Sequence, residues 1–347
     1  MKTMKRTLKV LGLALSAALA LVIATALGLV IATRGSYSVP ATVVDDPTLP
    51  HVTIDGVTFH AETFGDPAAP VVIVVHGGPG GDYGYLLNLH ALADEYHVVF
   101  YDQRGAGLSP RVAAEELTLQ SSVDDLHRMV TRYGQGAPVR LIGHSWGAML
   151  AAAYVGQHPD RVAQAVLAEP GALDNAELAR FQEHQAATRR LRYYRRLVPT
   201  IFESLRVDGP DDDAQMDYIY GTMSADFVNT AATGYRCAGA DIGPVAPDVP
   251  APPSRFGTTA YNTLFGPAAD LSMIAANAAD FAGDVLFLAS ACNNFIGADF
   301  QRSQMGLFPQ ATLVVIPAAG HELFSENPAA SLAAVRDFFA ESTKRPE

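Results

Sequence analysis

Short apolar runs alternate with longer segments of helical periodicity over residues 51–170 of this chain. The apolar runs are rich in β-branched and aromatic residues, which is typical of strands buried on both faces of a parallel sheet. The predicted strands are 71–75, 97–101, 139–142 and 162–168, and the predicted helices between them are 83–95, 121–133 and 146–157. This alternation predicts an α/β fold with a mostly parallel sheet and helices on both faces.

The same patterns divide the chain into a core and an insertion. Two short strands, 51–54 and 57–60, flank Asp55-Gly56, a strong signal for a β-hairpin. The alternation breaks at residue 171, where helical periodicity over 176–204 is followed by segments rich in Pro, Gly and Asp. Strands resume at 285–289 and 311–316, with a helix at 331–342. We therefore expect core parts at 36–170 and 271–347, with a cap at 171–270.

The N-terminal segment, residues 1–35, has the pattern of a membrane helix. Four basic residues precede an uncharged run of 24 residues from Val10 to Thr33, long enough to cross a hydrocarbon core of about 30 Å. A cleavable signal peptide usually has an apolar region of about 7–15 residues, so an uncleaved anchor is favoured, although 18–20 and 24–26 offer cleavage sites. The basic flank predicts a cytoplasmic N-terminus and an exported domain, periplasmic or extracellular.

Charge and cysteine content narrow the possible partners. Beyond residue 34, 19 basic residues stand against 36 acidic ones, a net charge of −17, which repels nucleic acids. The basic cluster at 189–196 is interpreted as a solvated helix face.

Cys237 and Cys292 are the only two cysteines. They can pair in an exported protein, but two buried free thiols are the favoured interpretation because most residue pairs lie too far apart to bridge.

Three glycine-containing motifs follow predicted strands. Residues 76–80 read His-Gly-Gly-Pro-Gly, and residues 102–109 read Asp-Gln-Arg-Gly-Ala-Gly-Leu-Ser. Residues 143–147 read Gly-His-Ser-Trp-Gly between a strand and a helix, the setting of a nucleophile elbow. Such a turn exposes the hydroxyl of Ser145 above the sheet, where the N-terminus of the next helix favours developing negative charge.

In this order and at these intervals, the three motifs resemble the α/β-hydrolase fold, nearest its proline iminopeptidase-like branch. The resemblance covers residues 52–169 and 285 to the C-terminus. It implies a serine hydrolase that works through an acyl-enzyme, with Ser145 as nucleophile and His321 as the base. It also implies that the backbone N–H groups of Gly78 and Trp146 form the oxyanion hole.

The acid of the triad is where the sequence departs from the family pattern. The family usually presents an Asp about 28 residues before the catalytic His, and Asn293 occupies that position here. Replacing a triad acid by its amide costs about 10⁴ in turnover. Glu169, at the end of the predicted strand 162–168, is therefore the favoured acid and is expected within about 3.2 Å of His321 Nδ1. Asn293 as a neutral orienting group and Asp299 remain alternatives.

The substrate is less well defined by the sequence than the fold. We expect a small ester, an amide or an N-terminal peptide bond to be cleaved, without a cofactor or a metal ion. A proline iminopeptidase needs acidic cap residues that hold a free amino terminus. Glu177, Glu183 and Glu203 are candidates, but the cap lacks Trp, since Trp146 is the only one in the chain. A hydrolase-fold protein that binds a ligand without turnover is the third hypothesis, which Asn293 supports.

Overall fold

An eight-stranded sheet forms the centre of the molecule in a computed structural model, which describes residues 2–173, 175–187, 191–227, 233–239, 245–266 and 269–342. The strands are β1 (Tyr37–Ser38), β2 (His51–Ile54), β3 (Val57–Phe64), β4 (Val71–Val75), β5 (His97–Tyr101), β6 (Val139–His144), β7 (Val162–Ala168), β8 (Val207–Asp208), β9 (Asp284–Ser290) and β10 (Ala311–Ile316). The strand order of the main sheet is β10-β9-β7-β6-β4-β5-β3-β2, and β1 pairs with β8 separately.

Helices cover both faces of this sheet. The α-helices are α1 (Lys2–Ala32), α2 (Leu119–Gly134), α3 (Trp146–Gln157), α4 (Asn175–Ala187), α5 (Leu191–Ser204), α6 (Ala214–Phe227), α7 (Thr258–Phe265), α8 (Ala298–Gln304), α9 (Leu323–Glu326) and α10 (Pro328–Ser342). The predicted α/β class, the hairpin and the strands of the core are confirmed. Arg189 and Arg190 of the predicted basic cluster lie outside the described residues.

Parallel pairing brings the functional loops to one edge of the sheet. β4, β5, β6, β7, β9 and β10 all run parallel, whereas β3 pairs antiparallel with both β5 and β2. In this register Val75 lies opposite Gly143, and Gly143 lies opposite Leu167. The loops after β4, β6 and β7 therefore leave the sheet side by side, as expected for the ligand-binding edge of an open α/β sheet.

The hydrophobic core lies on both faces of the sheet. Along β4, Ile73 and Val75 pack into one buried cluster, and Val72 and Val74 pack into the other. Side chains alternate between the faces of a strand, so a strand buried on both sides must be apolar throughout. The elbow helix α3 is equally enclosed, since 11 of its 12 residues are buried. This packing gives the elbow a rigid support.

The segment between β4 and β5 differs from its prediction. An α-helix was predicted at 83–95, but Gly84–Asp94 forms a 3₁₀ helix. Leu86, Leu89 and Leu92 are all fully buried and recur every third residue. At 3.0 residues per turn, positions i and i+3 lie on the same line along the helix. The tighter helix therefore points all three leucines into the core.

The N-terminal helix α1 extends from the domain. Its residues Arg6–Ala32 are long and apolar enough to cross a membrane, and none of their most apolar window is buried. The helix therefore qualifies as a candidate membrane span by length and composition. The segment after it is attached to the cap, because β1 pairs in parallel with β8.

Candidate active site

Ser145 occupies a strained turn between β6 and α3. Its φ of 54° and ψ of −119° lie in a region that L-residues rarely adopt. Two glycines permit this turn. A Cβ at Gly143 would collide with the backbone of Gly147, and one at Gly147 would collide with the carbonyl of Val75. The half-buried Ser145 therefore stands at the N-terminus of α3, in a turn that leaves no room for a side chain at either of these glycines.

His321 follows β10 and lies in a buried contact with Glu169. Its Nδ1 is 2.8 Å from Glu169 Oε2, so the contact predicted from the sequence is confirmed. The backbone N–H of His321 donates to the carbonyl of Tyr235 at 2.6 Å, and the ring centroids of these residues are 4.8 Å apart. The imidazole is thus fixed by a carboxylate at one nitrogen and by an aromatic ring from the cap segment.

The Glu169 carboxylate accepts four hydrogen bonds. Its Oε1 accepts from the backbone N–H of Ser290 at 2.7 Å and from the Ser290 hydroxyl at 2.5 Å. Its Oε2 accepts from His321 Nδ1 and, at 2.8 Å, from Asn293 Nδ2. Glu169 itself is fully buried and has a φ of +40°. A buried carboxylate costs free energy unless it is hydrogen-bonded, and here both of its oxygens are.

The two alternative acid positions have different surroundings. Asn293 supports the carboxylate and is itself oriented, because its Oδ1 accepts from the N–H groups of Phe295 and Ile296, both at 3.0 Å. The Asp299 side chain is fully exposed and pairs with Arg302 at 2.7 Å. Asp299 therefore lies outside the buried contact that holds His321, whereas Asn293 braces the acid.

The loop that contains Gly78 is tied to the elbow. Gly78 follows β4 with a φ of +51°, and Trp146 begins α3 directly after Ser145. Gln103 bridges His76, at the start of this loop, and Trp146, because its Nε2 donates to the His76 carbonyl at 2.8 Å and its Oε1 accepts from Trp146 Nε1 at 3.0 Å. The start of the loop that contains Gly78 is thereby joined to Trp146, the first residue of α3.

A chain of hydrogen bonds that the sequence did not reveal connects this loop to His321. The Gly77 N–H donates to the Tyr85 hydroxyl at 2.7 Å, and that hydroxyl lies 2.6 Å from His144 Nδ1. His144 Nε2 is 2.7 Å from the His321 carbonyl. Burial, and then the neighbouring His321, lower the pKa of His144 well below 6.5. A neutral His144 that accepts at Nδ1 and donates from Nε2 satisfies the whole chain.

The expectation of two free thiols was wrong. Cys237 and Cys292 form a disulfide with a Cα–Cα distance of 4.9 Å. A backbone hydrogen bond aligns the two segments, since Asn294 N–H donates to the Gly234 carbonyl, and Cys292 N–H ties its loop to the segment before His321 by donating to the Ala319 carbonyl. The cap segment 233–239 therefore lies against the loop after β9, and this proximity could not be read from a separation of 55 residues.

The acidic cap residues considered for amino-terminus recognition have other environments. Glu177 pairs with Arg180. Glu203 pairs with Arg196 at 3.3 Å and accepts from the Tyr218 hydroxyl at 2.9 Å. Glu183 is exposed on α4. Among the residues that the structure describes, no three His, Cys, Asp or Glu side chains are grouped so that they could hold a metal ion.

Comparisons with known proteins agree with this architecture. The sequence profile of the family described as alpha/beta hydrolase fold matches residues 70–328. A proline iminopeptidase of Arabidopsis thaliana is 37% identical over 132 residues, which are 38% of this chain and 34% of that protein. The chain thus spans about a third of the length of this curated relative.

Two solved structures share the fold at low identity. A proline iminopeptidase of Mycobacterium smegmatis superposes with a TM-score of 0.59 at 22% identity, covering 84% of this chain and 97% of that one. A membrane phospholipase A, described as a bacterial virulence factor, superposes with a TM-score of 0.58 at 15% identity, covering 98% of this chain and 100% of that one. At these identities the likeness concerns the fold.

Proposed function

Because this chain belongs to the α/β-hydrolase family, we propose that it is a serine hydrolase with Ser145 as nucleophile, His321 as base and Glu169 as acid. One observation carries the proposal: a serine in a strained strand-to-helix turn directly follows His144, whose ring centroid is 4.6 Å from that of His321, and His321 Nδ1 contacts a buried carboxylate at 2.8 Å. Folds host many functions, but a nucleophile, a base and an orienting acid in this arrangement favour acyl transfer.

The proposed reaction proceeds through an acyl-enzyme. His321 Nε2 removes the proton from Ser145 Oγ as the oxygen attacks the substrate carbonyl. The N–H groups of Gly78 and Trp146 stabilise the resulting oxyanion. The protonated His321, stabilised by Glu169, then donates its proton to the leaving alcohol or amine. Water, deprotonated by His321, attacks the acyl group, and the protonated His321 then returns the proton to Ser145 Oγ as the carboxylic acid product leaves.

Covalent labelling with a fluorophosphonate probe tests this proposal directly. Wild-type protein should be labelled and should hydrolyse short aryl esters, whereas Ser145→Ala should lose both properties. Ser303→Ala, at an exposed serine on α8, is the matched control and should retain them. Labelling that persists in Ser145→Ala would falsify the nucleophile. An unlabelled wild-type protein that still binds acyl ligands would favour the non-catalytic alternative.

A proline iminopeptidase-type activity is the second candidate. Its support is the sequence relationship with proline iminopeptidases, such as that of Arabidopsis thaliana. Comparing the hydrolysis of proline arylamides with that of short aryl esters separates the two activities. Faster turnover of the arylamide, lost when the proline nitrogen is acylated, would establish the aminopeptidase. Turnover of esters alone would establish the esterase.

We also propose that α1 anchors the protein with the catalytic domain outside the cytoplasm, where it meets a small-molecule or short-peptide substrate. The proposal is supported by the apolar span and by the basic residues before it. Membrane fractions should contain the full-length chain with its N-terminus intact. A mature chain that begins near residue 27 in the soluble fraction would instead identify the segment as a cleaved signal.

A further inference from the structure

The cap helix α5 exposes a row of apolar side chains. The row consists of Leu191, Tyr194, Val198, Ile201 and, directly after the helix, Leu205. Their separations of three, four, three and four residues place them on one helix face. Leu191 is 74% exposed and Leu205 is 66% exposed. Contiguous apolar surface of this kind marks a site of interaction, unlike isolated exposed apolar residues.

The two buried residues of α5 are polar and several of its most exposed residues are apolar, which is the reverse of the usual pattern in a helix of a soluble domain. The buried residues of α5 are Thr200 and Ser204, both polar. Each satisfies its hydroxyl within the helix, because Thr200 donates to the Arg196 carbonyl at 2.8 Å and Ser204 donates to the Ile201 carbonyl at 2.9 Å. Leu197 and Phe202 are half-buried, yet four further apolar residues of α5 face outward, which indicates that water is not the natural surroundings of that face.

The end of α5 is attached to the end of the candidate membrane span. Arg206 Nη1 donates to the carbonyl and to the hydroxyl oxygen of Thr33 at 3.2 and 3.0 Å, and its Nη2 donates to the Val30 carbonyl at 3.1 Å. These bonds satisfy carbonyls at the C-terminus of α1, where a cation is favourable. The exposed row therefore starts where α1 would leave a bilayer.

The net charge of α5 is positive, opposite in sign to that of the whole chain. The whole chain has a net charge of −12, yet α5 contains three arginines and one glutamate. Arg192 and Arg195 are exposed next to the apolar row. Basic residues beside an apolar face are typical of helices that lie in the interface of an anionic membrane.

From these observations we infer that the outer face of α5 docks onto the anionic bilayer that α1 spans, with the apolar row at the boundary between head groups and acyl chains. The anchor and the cap then form one continuous membrane-binding surface. The inference concerns the cap surface and does not depend on the reaction catalysed at Ser145.

Depth-dependent quenching in vesicles tests the inference on the full-length chain. Cys237 and Cys292 are paired, so a single introduced cysteine is the only free thiol. An NBD fluorophore is attached in turn to Tyr194→Cys, Ile201→Cys and Ala68→Cys, and each chain is reconstituted into phosphatidylcholine–phosphatidylglycerol vesicles. Ala68 is exposed in the turn before β4, at the end of the sheet opposite the candidate active site. It serves as the control because the chain labelled there carries the same α1 anchor.

Doxyl groups on the lipid acyl chains should quench most of the emission at positions 194 and 201 but not at position 68. Adding Ile201→Asp to the chain labelled at 194 should remove most of that quenching, because a carboxylate is costly at this depth. Equal, weak quenching at all three positions would overturn the inference. So would blue-shifted emission without quenching at 194 and 201, because protein, such as a second copy of the chain, would then cover the row.

Discussion

At the scale of single residues, the proposed catalytic mechanism depends on the carboxylate at position 169 as well as on Ser145 and His321. Proton transfer from Ser145 would create an imidazolium, which a carboxylate stabilises and a neutral amide does not. Asn293 donates to that carboxylate and Ser290 donates to it twice. The position at which an acid was expected from the family pattern therefore carries an amide that donates to the proposed acid.

Glu169→Gln should lower kcat by about 10³–10⁴, the range expected for loss of a triad acid. Asn293→Ala should cost far less, because three other donors to the carboxylate remain. Steady-state hydrolysis of an aryl ester by the purified variants measures both effects. Asp299→Asn, at an exposed ion pair, provides the control. Equal losses in the Glu169 and Asn293 variants would contradict the assignment of the acid.

At the scale of elements, the cap is joined to the core by a disulfide and by a buried ion cluster. The disulfide aligns the Tyr235 segment, which contacts His321, with the Asn293 loop, which braces Glu169. In the ion cluster, Asp217 on α6 accepts from Arg111 Nε of the core and from Arg255 Nε, at 3.0 and 2.9 Å. Both connections hold cap segments against the catalytic edge of the sheet.

Removing the disulfide should destabilise the protein and lower its activity. A cross-link that closes a loop of 55 residues stabilises by about 4 kcal/mol in the chain-entropy model. Dithiothreitol should therefore lower the Tm and kcat of the wild type. The double variant Cys237→Ser, Cys292→Ser should resemble the reduced wild type and be insensitive to the reagent. A reduced protein with unchanged kcat would show that the cap segment keeps its place without the bond.

Asp217→Asn should destabilise the fold by a similar amount. It removes the charge between two arginines whose side chains are at most 8% exposed. Breaking a buried pair on one side costs about 3–5 kcal/mol because an uncompensated charge stays buried. Urea unfolding of the detergent-solubilised chain measures the loss. Arg302→Gln, in an exposed pair with Asp299, is the control and should leave the midpoint of urea unfolding unchanged. A midpoint for Asp217→Asn equal to that of the wild type would refute the argument.

At the scale of the whole molecule, two buried histidines couple stability to pH. Burial lowers the pKa of His76, and burial with the neighbouring His321 lowers that of His144 well below 6.5. The unfolded chain therefore takes up protons at these positions before the folded chain does. Their contribution to stability is complete above a pH of about 6.5 and is lost as the pH falls below it.

The free energy of unfolding should consequently fall as the pH drops below 6.5, by up to about 1.4 kcal/mol per pH unit for each histidine. His144→Gln should show a shallower dependence, because a neutral amide can still donate to the His321 carbonyl without binding a proton. Urea titrations of both proteins between pH 8 and 5 measure the slopes. Identical slopes for the wild type and His144→Gln would show that groups other than His144 take up the protons.

The sequence by itself determined the sheet, the elbow and the contact between Glu169 and His321. Strand and helix periodicities are local properties, and they located the parallel strands that the structure confirms. Since the ends of parallel strands meet at one edge, Ser145, Glu169 and His321 could be predicted to converge from their places in the chain alone. The contact between Glu169 and His321 at 2.8 Å follows from that topology.

Only the tertiary structure decided which distant side chains complete the site. The bond from Tyr85 to His144, the bonds from Ser290 and Asn293 to Glu169 and the pairing of Cys237 with Cys292 join residues 55 to 124 positions apart. No periodicity encodes such contacts, because they depend on how loops and cap segments fold back over the sheet edge. Likewise, only the tertiary structure shows that the apolar row of α5 faces outward. In a sequence, an apolar stripe marks an amphipathic helix but does not say whether protein or lipid covers the stripe.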